Sequence, residues 1–151
     1  MTVFANPAAA AAAVGSHLGY SDWLEITQKR INDFADATDD HQWIHVDPVA
    51  AAQGPFGTTI AHGYLTLSLA VRFVAEIFTV EGLQMGINYG ANRVRFIAPV
   101  PVGARLRAGG VLIAVEAQGG GSWQATLDLT FEIDGVEKPA CFAQVLYRMY
   151  E

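Results

Sequence analysis

"AHGYLTLSLAVRFVAEIF", residues 61 to 78, is the longest stretch of apolar side chains with helical spacing in the chain. One stripe of such a helix carries Leu65, Leu69, Phe73 and Ile77. Other faces also carry apolar side chains, those of Leu67, Val71 and Val74. A helix that is apolar around most of its circumference is normally buried. The segment therefore predicts a long central helix, from about Ala61 to Phe78, around which the rest of the chain folds.

The second half of the chain carries the patterns of antiparallel strands. Apolar and polar side chains alternate strictly in "SWQATLDLTFEI", residues 122 to 133, which is typical of a strand with one buried face. Asp134 and Gly135 then predict a tight hairpin turn into a further strand within "EKPACFAQVLYRMY". Earlier strands are predicted in "LQMGINY", "NRVRFIAPV" and "ARLRAGGVLIAVEA", the last two joined by "PVPVG". The pattern indicates an α+β fold in which an antiparallel sheet curls around one helix.

Shorter elements precede the central helix. A first strand is predicted in "SDWLEIT", residues 21 to 27. Thr27 is a candidate N-cap for a helix that ends near Thr38, because the residues between them have helical spacing. A second short helix is predicted with Asp47 as its N-cap and Pro48 in its first turn.

Length and the N-terminal sequence indicate a single domain. At 151 residues the chain is long enough to bury one core. The alanine-rich stretch that precedes Gly15 predicts a short helix, so residues 1–20 are interpreted as a helical extension of the domain 1–151. This stretch is not interpreted as a signal peptide, because no basic residue precedes the alanines and Pro7 comes directly before them.

Composition and charge exclude several classes of function. The chain is 52% hydrophobic and 16% charged, which is far from the composition of disordered proteins. Its net charge of -6 argues against nucleic acid as a partner, and it has no apolar run of the roughly 18 residues that a membrane span needs. The single cysteine, Cys141, cannot form an internal disulfide or a thiolate metal cluster. We therefore expect a soluble, cytoplasmic protein.

Four aspartates and two histidines are concentrated within the thirteen residues of "DATDDHQWIHVDP", residues 36 to 48. Asp40 and His45 are the candidate catalytic pair, because a turn in this stretch can bring them to a common point. A carboxylate beside an imidazole can position and activate a water molecule, since burial and mutual contact tune both pKa values towards neutrality. Taken alone, the same residues also fit solvated acids after a helix and a buried structural histidine.

A second cluster lies at the start of the central helix, in "TIAHGYLTLSL", residues 59 to 69. Backbone N–H groups in a first helical turn lack intrahelical partners and lie at the positive end of the helix dipole. Gly63 lets a carbonyl oxygen approach them, so its N–H is a candidate oxyanion site. The alternative is that Gly63 only permits close packing and that His62 is a capping or core residue.

Together the two clusters resemble the (R)-specific enoyl-CoA hydratases, the MaoC-like dehydratases of the hotdog fold. The family pattern is G-D-x-N-P-[IL]-H-x-[DN]-P, followed by A-H-G. The first motif is matched by Asp40, Ile44, His45, Asp47 and Pro48, and the second by Ala61, His62 and Gly63. The resemblance extends from Ser21 over most of the chain and includes "NRVRFIAPVPVGARLRA", which is similar to the strand-turn-strand region after the family's central helix.

Three positions depart from the family pattern. Asp39 replaces the usual glycine, Gln42 the usual asparagine and Trp43 the usual proline. The "HQWIH" version is similar to a branch that includes nodulation protein N and mycobacterial hydratases. A second carboxylate at Asp39 either raises a neighbouring pKa or points into water.

The resemblance implies a hotdog domain and a hydro-lyase of fatty acid metabolism. It implies that Asp40 and His45 hold a water that adds to C3 of a trans-2-enoyl thioester, giving the (R)-3-hydroxyacyl thioester in a reversible reaction. The Gly63 N–H would meet the negative charge that develops on the thioester oxygen. Coenzyme A or acyl carrier protein would carry the acyl group as part of the substrate, and a homodimer is expected. No cofactor or metal ion is expected, since the spacing of His41, His45 and His62 matches no established zinc site.

Side chains near the two motifs are candidates for substrate binding. An apolar slot for the acyl chain would be lined by Trp43, Phe56, Tyr64 and Leu65, each of which also fits an ordinary core position. His62 of the second motif is assigned to the substrate as well. Phosphate groups need cations, and the densest basic group is Arg93, Arg95, Arg105 and Arg107. Of these, Arg93 and Arg95 are the predicted phosphate-binding pair.

Two other functions remain open at this point. A hotdog thioesterase would use a carboxylate and a helix N-terminus to hydrolyse the thioester. A non-catalytic acyl-thioester-binding protein of the nodulation type would keep the fold without the activity. The combination of Asp40 and His45 with the A-H-G motif favours the hydratase.

Overall fold

The second half of the chain builds most of the sheet in the computed structural model, which describes all residues from 1 to 151. The strands are β1 (Thr2–Phe4), β2 (His17–Tyr20), β3 (Leu24–Glu25), β4 (Phe78–Val80), β5 (Met85–Phe96), β6 (Arg105–Gly119), β7 (Ser122–Ile133) and β8 (Cys141–Tyr150). The helices are α1 (Pro7–Ala11), α2 (Gln28–Thr38), α3 (Trp43–Val46), α4 (Pro48–Ala52), α5 (Gly63–Ser68) and α6 (Ala70–Ile77).

Six strands form the main antiparallel sheet. Its neighbours follow the order β2, β6, β7, β8 and β5, and β3 also pairs with β6. A separate parallel pair is formed by β1 and β4. The sheet and the helices in front of it confirm the α+β class. One edge of the sheet is β5, whose outer side pairs with no other strand.

The alternating pattern of residues 122–133 is realised in β7. Its buried apolar side chains are Ala125, Leu127, Leu129, Phe131 and Ile133. They belong to one cluster of 26 buried apolar residues that extends from Ala10 to Met149. The ring of Phe131 meets that of Phe73 from α6 edge-on, with 6.0 Å between their centroids. The N-terminal extension therefore shares its core with the sheet.

Local capping signals place the short helices where the sequence predicts them. Thr27 Oγ1 accepts a hydrogen bond from the Arg30 N–H at the start of α2. Asp47 Oδ1 accepts from the N–H groups of Val49 and Ala50 at the start of α4, 3.0 Å from each. These bonds satisfy backbone donors that have no intrahelical partner.

The central helix differs from its predicted bounds. It begins at Gly63 rather than Ala61, and it is interrupted at Leu69, which joins α5 to α6. It ends at Ile77, so that Phe78 already belongs to β4. None of the helices has the length and apolar content that crossing a lipid bilayer would take.

Only one face of the central helix is buried. That face consists of Leu65, Leu69, Ala70, Phe73 and Ile77. On the opposite face Tyr64 is 69% exposed and Val71 is 57% exposed. The sheet curls around the central helix as predicted, but burial of most of its circumference is wrong for a single copy, because Val71 is exposed and Leu67 and Val74 are only partly buried.

The predicted tight hairpin after β7 is also wrong. The Val136 N–H donates to Ile133, and Gly135 has a positive φ of 74°, so a turn does form there. Ladder pairing resumes only near Cys141, however, with the Ala140 N–H bound to Phe131. Pro139 has no N–H to donate to a ladder, which explains why the strand begins after it.

The other strand boundaries depart from prediction as well. The two strands predicted within residues 83–100 form one strand, β5, with two register irregularities. The predicted strand 21–27 is reduced to the two residues of β3. The extension 1–20 is only partly helical, because β1 and β2 flank α1 and pair with β4 and β6.

Candidate active site

The turn after α2 exposes the first candidate catalytic residue. Asp39 follows the helix in a left-handed conformation, with φ 57° and ψ 20°, and redirects the chain. Glycine adopts this conformation without steric cost, and aspartate is one of the few other residues that visit it. The Asp40 side chain then leaves the helix and is 53% exposed. The left-handed turn accounts for the glycine of the family pattern at this position.

His45 lies on the short helix α3 and is 7% exposed. Its Nδ1 is 2.7 Å from the backbone carbonyl oxygen of Ile60. A carbonyl oxygen can only accept, so Nδ1 carries the proton of the neutral ring and Nε2 keeps a free lone pair. Burial lowers the pKa of His45 below its usual value, against the opposing influence of the Ile60 carbonyl and of Asp40. The ring is therefore a neutral acceptor at pH 7.

His62 connects the two candidate catalytic residues. It precedes α5, is 2% exposed, and its Nε2 donates to the backbone carbonyl oxygen of Asp40 at 2.9 Å. Its ring stacks on that of His45, with centroids 3.8 Å apart and planes 25° from parallel. The Phe34 ring of α2 lies 5.0 Å from that of His62, measured between centroids. The second motif therefore holds the first one in place.

Three potential ligand atoms converge in this cluster. A carboxylate oxygen of Asp40 and ring nitrogens of His45 and His62 lie within 4.8 Å of one another. The His62 Nε2 is committed as a donor to the Asp40 carbonyl. The His62 Nδ1 then holds the lone pair of that ring and is buried without a hydrogen-bond partner. The Asp40 carboxylate and the His45 Nε2 are the two groups that can hydrogen-bond one water molecule between them.

Gly63 begins α5, so its N–H has no intrahelical partner. A Cβ atom at this position would lie 3.0 Å from the Phe96 ring, which packs directly over the glycine. The Phe96 ring also meets that of Tyr64 edge-on, with centroids 5.6 Å apart. Phe96 is a site residue that the sequence analysis missed, because an aromatic side chain at the end of a predicted strand has no distinguishing signal.

A cavity of about 300 Å³ joins these features. It is lined mainly by apolar side chains and includes His45, Phe56, Gly63, Thr66 and Phe96. The cavity thus places the imidazole, the helix N-terminus and apolar walls around one space. A larger cavity of about 490 Å³ lies between α6 and β5 and contains none of the candidate catalytic residues.

The predicted acyl-binding residues do not all reach this cavity. Phe56 lines it, whereas Trp43 does not and instead packs over Gly54, where a Cβ would lie 2.7 Å from the indole ring. Tyr64 borders the cavity only through Phe96. Leu65 belongs to the core.

The basic residues divide into two pairs. Arg105 and Arg107 form ion pairs with Asp134 and Glu132, respectively. Neither of the other two forms an ion pair: the guanidinium of Arg93 lies over the Phe142 ring, and Arg95 donates to the Val94 carbonyl oxygen. The positive charges of Arg93 and Arg95 are therefore the ones left uncompensated.

The single cysteine does not line the cavity. Cys141 is fully buried on β8, and burial raises the pKa of its thiol to about 11. A thiol with such a pKa stays protonated and is a poor nucleophile.

These features match a known family. The model of the MaoC like domain matches residues 9–126, and the chain belongs to this family of hotdog-fold proteins. It is 55% identical over 148 residues to the 3-hydroxyacyl-thioester dehydratase Z of Mycobacterium tuberculosis, covering 98% of both chains. It is 45% identical over 133 residues to nodulation protein N of Rhizobium leguminosarum, covering 86% of this chain and 82% of the relative.

Solved structures agree on the fold. An R-hydratase from Pseudomonas aeruginosa superposes with a TM-score of 0.74 and 21% identity, over 91% of this chain and 82% of the other. The hotdog architecture expected from the sequence is therefore confirmed, as is the resemblance to MaoC-like dehydratases.

Proposed function

We propose that the protein catalyses the reversible, (R)-specific hydration of trans-2-enoyl thioesters to (R)-3-hydroxyacyl thioesters. The observation that carries the proposal is the Asp40 carboxylate within 4.8 Å of a ring nitrogen of His45, which lines the cavity together with Gly63. One water molecule that hydrogen-bonds both groups fits this separation, since each bond spans about 2.8 Å. A relative of 55% identity with the name of a 3-hydroxyacyl-thioester dehydratase supports a lyase of this kind.

In the proposed reaction the pair activates the water. Its oxygen bonds to C3 of the enoyl group as one proton passes to the Asp40–His45 pair, and a proton is returned to C2. Neutral His45, with its Nε2 lone pair free, can accept the proton, and the adjacent carboxylate stabilises the imidazolium that results. Dehydration is the same sequence in reverse.

Charge that develops on the thioester oxygen has a candidate partner in the Gly63 N–H. The N–H stands at the positive end of the helix and borders the same cavity. A preorganised donor of this kind typically contributes about 3 kcal/mol to transition-state stabilisation. Gly63 is therefore assigned to the oxyanion hole.

The remaining side chains are proposed to bind the substrate. Phe56 and Phe96 provide apolar walls. Trp43 and Tyr64, 44% and 69% exposed, do not line the cavity and are proposed to contact the substrate outside it. His62 is proposed to act through its bond to the Asp40 carbonyl, because its ring is buried and does not line the cavity. The phosphates of a coenzyme A or acyl carrier protein thioester suit the uncompensated charges of Arg93 and Arg95, and no further cofactor enters the reaction.

A homodimer is part of the proposal. The free edge of β5 presents backbone groups without a partner strand, and Met85, Ile87 and Tyr89 on it are exposed. The uncovered face of α6 with Val71 lies nearby, across the 490 Å³ cavity. A second copy that extends the sheet at β5 would cover these apolar side chains.

The test is the loss of enoyl absorbance when the purified protein is mixed with crotonyl-CoA, and then with longer enoyl-CoAs. The proposal expects turnover without added cofactor and an (R)-3-hydroxyacyl product by chiral analysis. Release of free thiol would instead identify a thioesterase. Binding of acyl-CoA without either product would identify a non-catalytic acyl-thioester-binding protein.

A further inference from the structure

Gln28, the first residue of α2, bonds through both ends of its side-chain amide. Its Nε2 donates to the backbone carbonyl oxygen of His45 at 2.7 Å and to Asn32 Oδ1 at 2.8 Å. Its Oε1 accepts from the hydroxyl of Thr59 at 2.5 Å. Thr59 is 1% exposed, so this last bond is shielded from water.

These bonds link the two chain segments that fix the position and the protonated nitrogen of the His45 ring. One segment carries His45, and the other carries Ile60, whose carbonyl oxygen receives the Nδ1 proton. The two segments also meet through the Ile60 N–H, which donates to the Ile44 carbonyl oxygen at 3.0 Å. The Gln28 amide hydrogen-bonds the His45 backbone through its nitrogen and the Thr59 hydroxyl through its oxygen, and Thr59 is the neighbour of Ile60.

The α2 helix does not need this amide for its own stability. Thr27 already caps its N-terminus, and Ile31 and Ala35 anchor it in the core. The amide forms one bond within α2, to Asn32, whereas its other two bonds span 17 and 31 residues of sequence, to His45 and Thr59. These two long-range bonds connect α2 to the site.

We propose that Gln28 is a positioning residue that holds the His45 backbone against the Thr59–Ile60 segment and thereby keeps the Nε2 lone pair of the imidazole free and directed into the cavity. The catalytic consequence rests on the hydratase function proposed above. The effect on the ring itself does not, because it is a property of the free protein.

Two substitutions separate the ends of the amide. Gln28→Met removes both the donor and the acceptor at similar volume. Gln28→Glu keeps an oxygen that can accept from Thr59 but places a second oxygen against the His45 carbonyl, where the donor stood. The matched control is Asn32→Ala, which removes only the exposed bond on the same helix.

The readout is the tautomer of His45, followed by two-bond ¹H–¹⁵N NMR of the imidazole nitrogens, beside steady-state kinetics and thermal melts. We expect both Gln28 variants to fold and to populate the Nε2–H form, whereas wild type and Asn32→Ala keep the Nδ1–H form. We expect kcat in both Gln28 variants to fall about tenfold to a hundredfold, with KM changed less than about twofold.

An unchanged His45 tautomer in both Gln28 variants would overturn the inference. A wild-type spectrum for Gln28→Glu beside an altered one for Gln28→Met would also overturn it. That result would show that only the bond to Thr59 matters and that the bond to the His45 carbonyl does not. Should the wild-type protein hydrate no enoyl thioester, the proposed function fails, while the tautomer comparison still decides the role of Gln28.

Discussion

His41 and His45 are four residues apart, and their surroundings are opposite. The exposed Nε2 of His41 lies 2.8 Å from the Asp36 carboxylate, and this hydrogen bond raises the pKa of His41 above its usual value. His45 is buried against Ile60, and burial lowers its pKa. A histidine beside an acid is therefore not enough to define a site, because burial decides whether the imidazole is a charged partner or a neutral base.

The largest difference is expected in turnover, between variants of the buried Asp40–His45 region and variants of the exposed Asp36–His41 region. Asp40→Asn and His45→Gln should each reduce kcat about a thousandfold, since general acid–base catalysis typically contributes about 10²–10⁴. His41→Gln should leave kcat within about twofold of wild type, since an exposed side chain that only pairs with Asp36 holds no water in the cavity. The loss of enoyl-CoA absorbance measures kcat in all three variants. A comparable loss in His41→Gln would place the chemistry in the exposed region instead.

A smaller effect on turnover is expected from Gly63, whose backbone N–H borders the same cavity as His45. Gly63→Ala brings a Cβ to 3.0 Å from the Phe96 ring, so that the ring or the helix start must move. We expect kcat to fall about tenfold to a hundredfold, because oxyanion donors lose most of their effect when displaced. The same assay with Gly63→Ala combined with Phe96→Leu provides the control. Recovery in the double variant would attribute the loss to the ring, whereas full activity of Gly63→Ala alone would contradict the oxyanion assignment.

The two histidines should also titrate on opposite sides of 6.5, the usual imidazole pKa. In NMR titrations we expect the pKa of His41 to lie above this value and that of His45 below it. The acid limb of kcat/KM should follow His45, so activity persists below pH 6.5. Coinciding titrations of the two rings would remove the contrast between the regions.

Folding stability should follow the same titration. His45 binds a proton more readily in the unfolded chain, so its contribution to stability is fully present above pH 6.5. That contribution is lost as the pH falls from 6.5 through the lower pKa of the folded state. Urea unfolding as a function of pH measures it, with His45→Gln as the control that lacks this dependence.

The smallest effect is expected at Asp39, the residue in left-handed conformation that precedes both histidines. Asp39→Gly should raise the free energy of unfolding by about 0.5 kcal/mol, because glycine adopts the left-handed turn without steric cost. Asp39→Ala, which keeps a Cβ and loses the carboxylate, should lower it. Urea denaturation compares the two. A stabilising alanine would show that the charge of Asp39, rather than its backbone, governs this turn.

Several elements of the fold were predictable because their signals are local. The N-caps Thr27 and Asp47 bond to N–H groups two or three residues away, so the sequence contains both partners. The alternation in β7 reports a buried face directly. The candidate pair Asp40 and His45 was visible as well, because its motif is short and its residue types are chemically distinctive.

Other features were not predictable, because their partners lie far away in the sequence. Ion pairing of Arg105 with Asp134 spans 29 residues, and nothing in the local pattern separates it from the unpaired Arg93. The exposed Val71 of α6 is as apolar as the buried Ala70 and Phe73, so residue type does not predict which of them is exposed. Its exposure depends on where the sheet stops.

By itself the amino-acid sequence determined the α+β class, the caps of α2 and α4 and the residue types of the candidate site, since these follow from periodicity, capping and side-chain chemistry. Only the tertiary structure decided the state of His45. Its Nδ1 proton is held by the Ile60 carbonyl, and its backbone carbonyl accepts a hydrogen bond from the Gln28 amide. These two groups come from separate segments of the chain. A carbonyl group is the same in every residue, so its role depends on the packing that brings it to the ring.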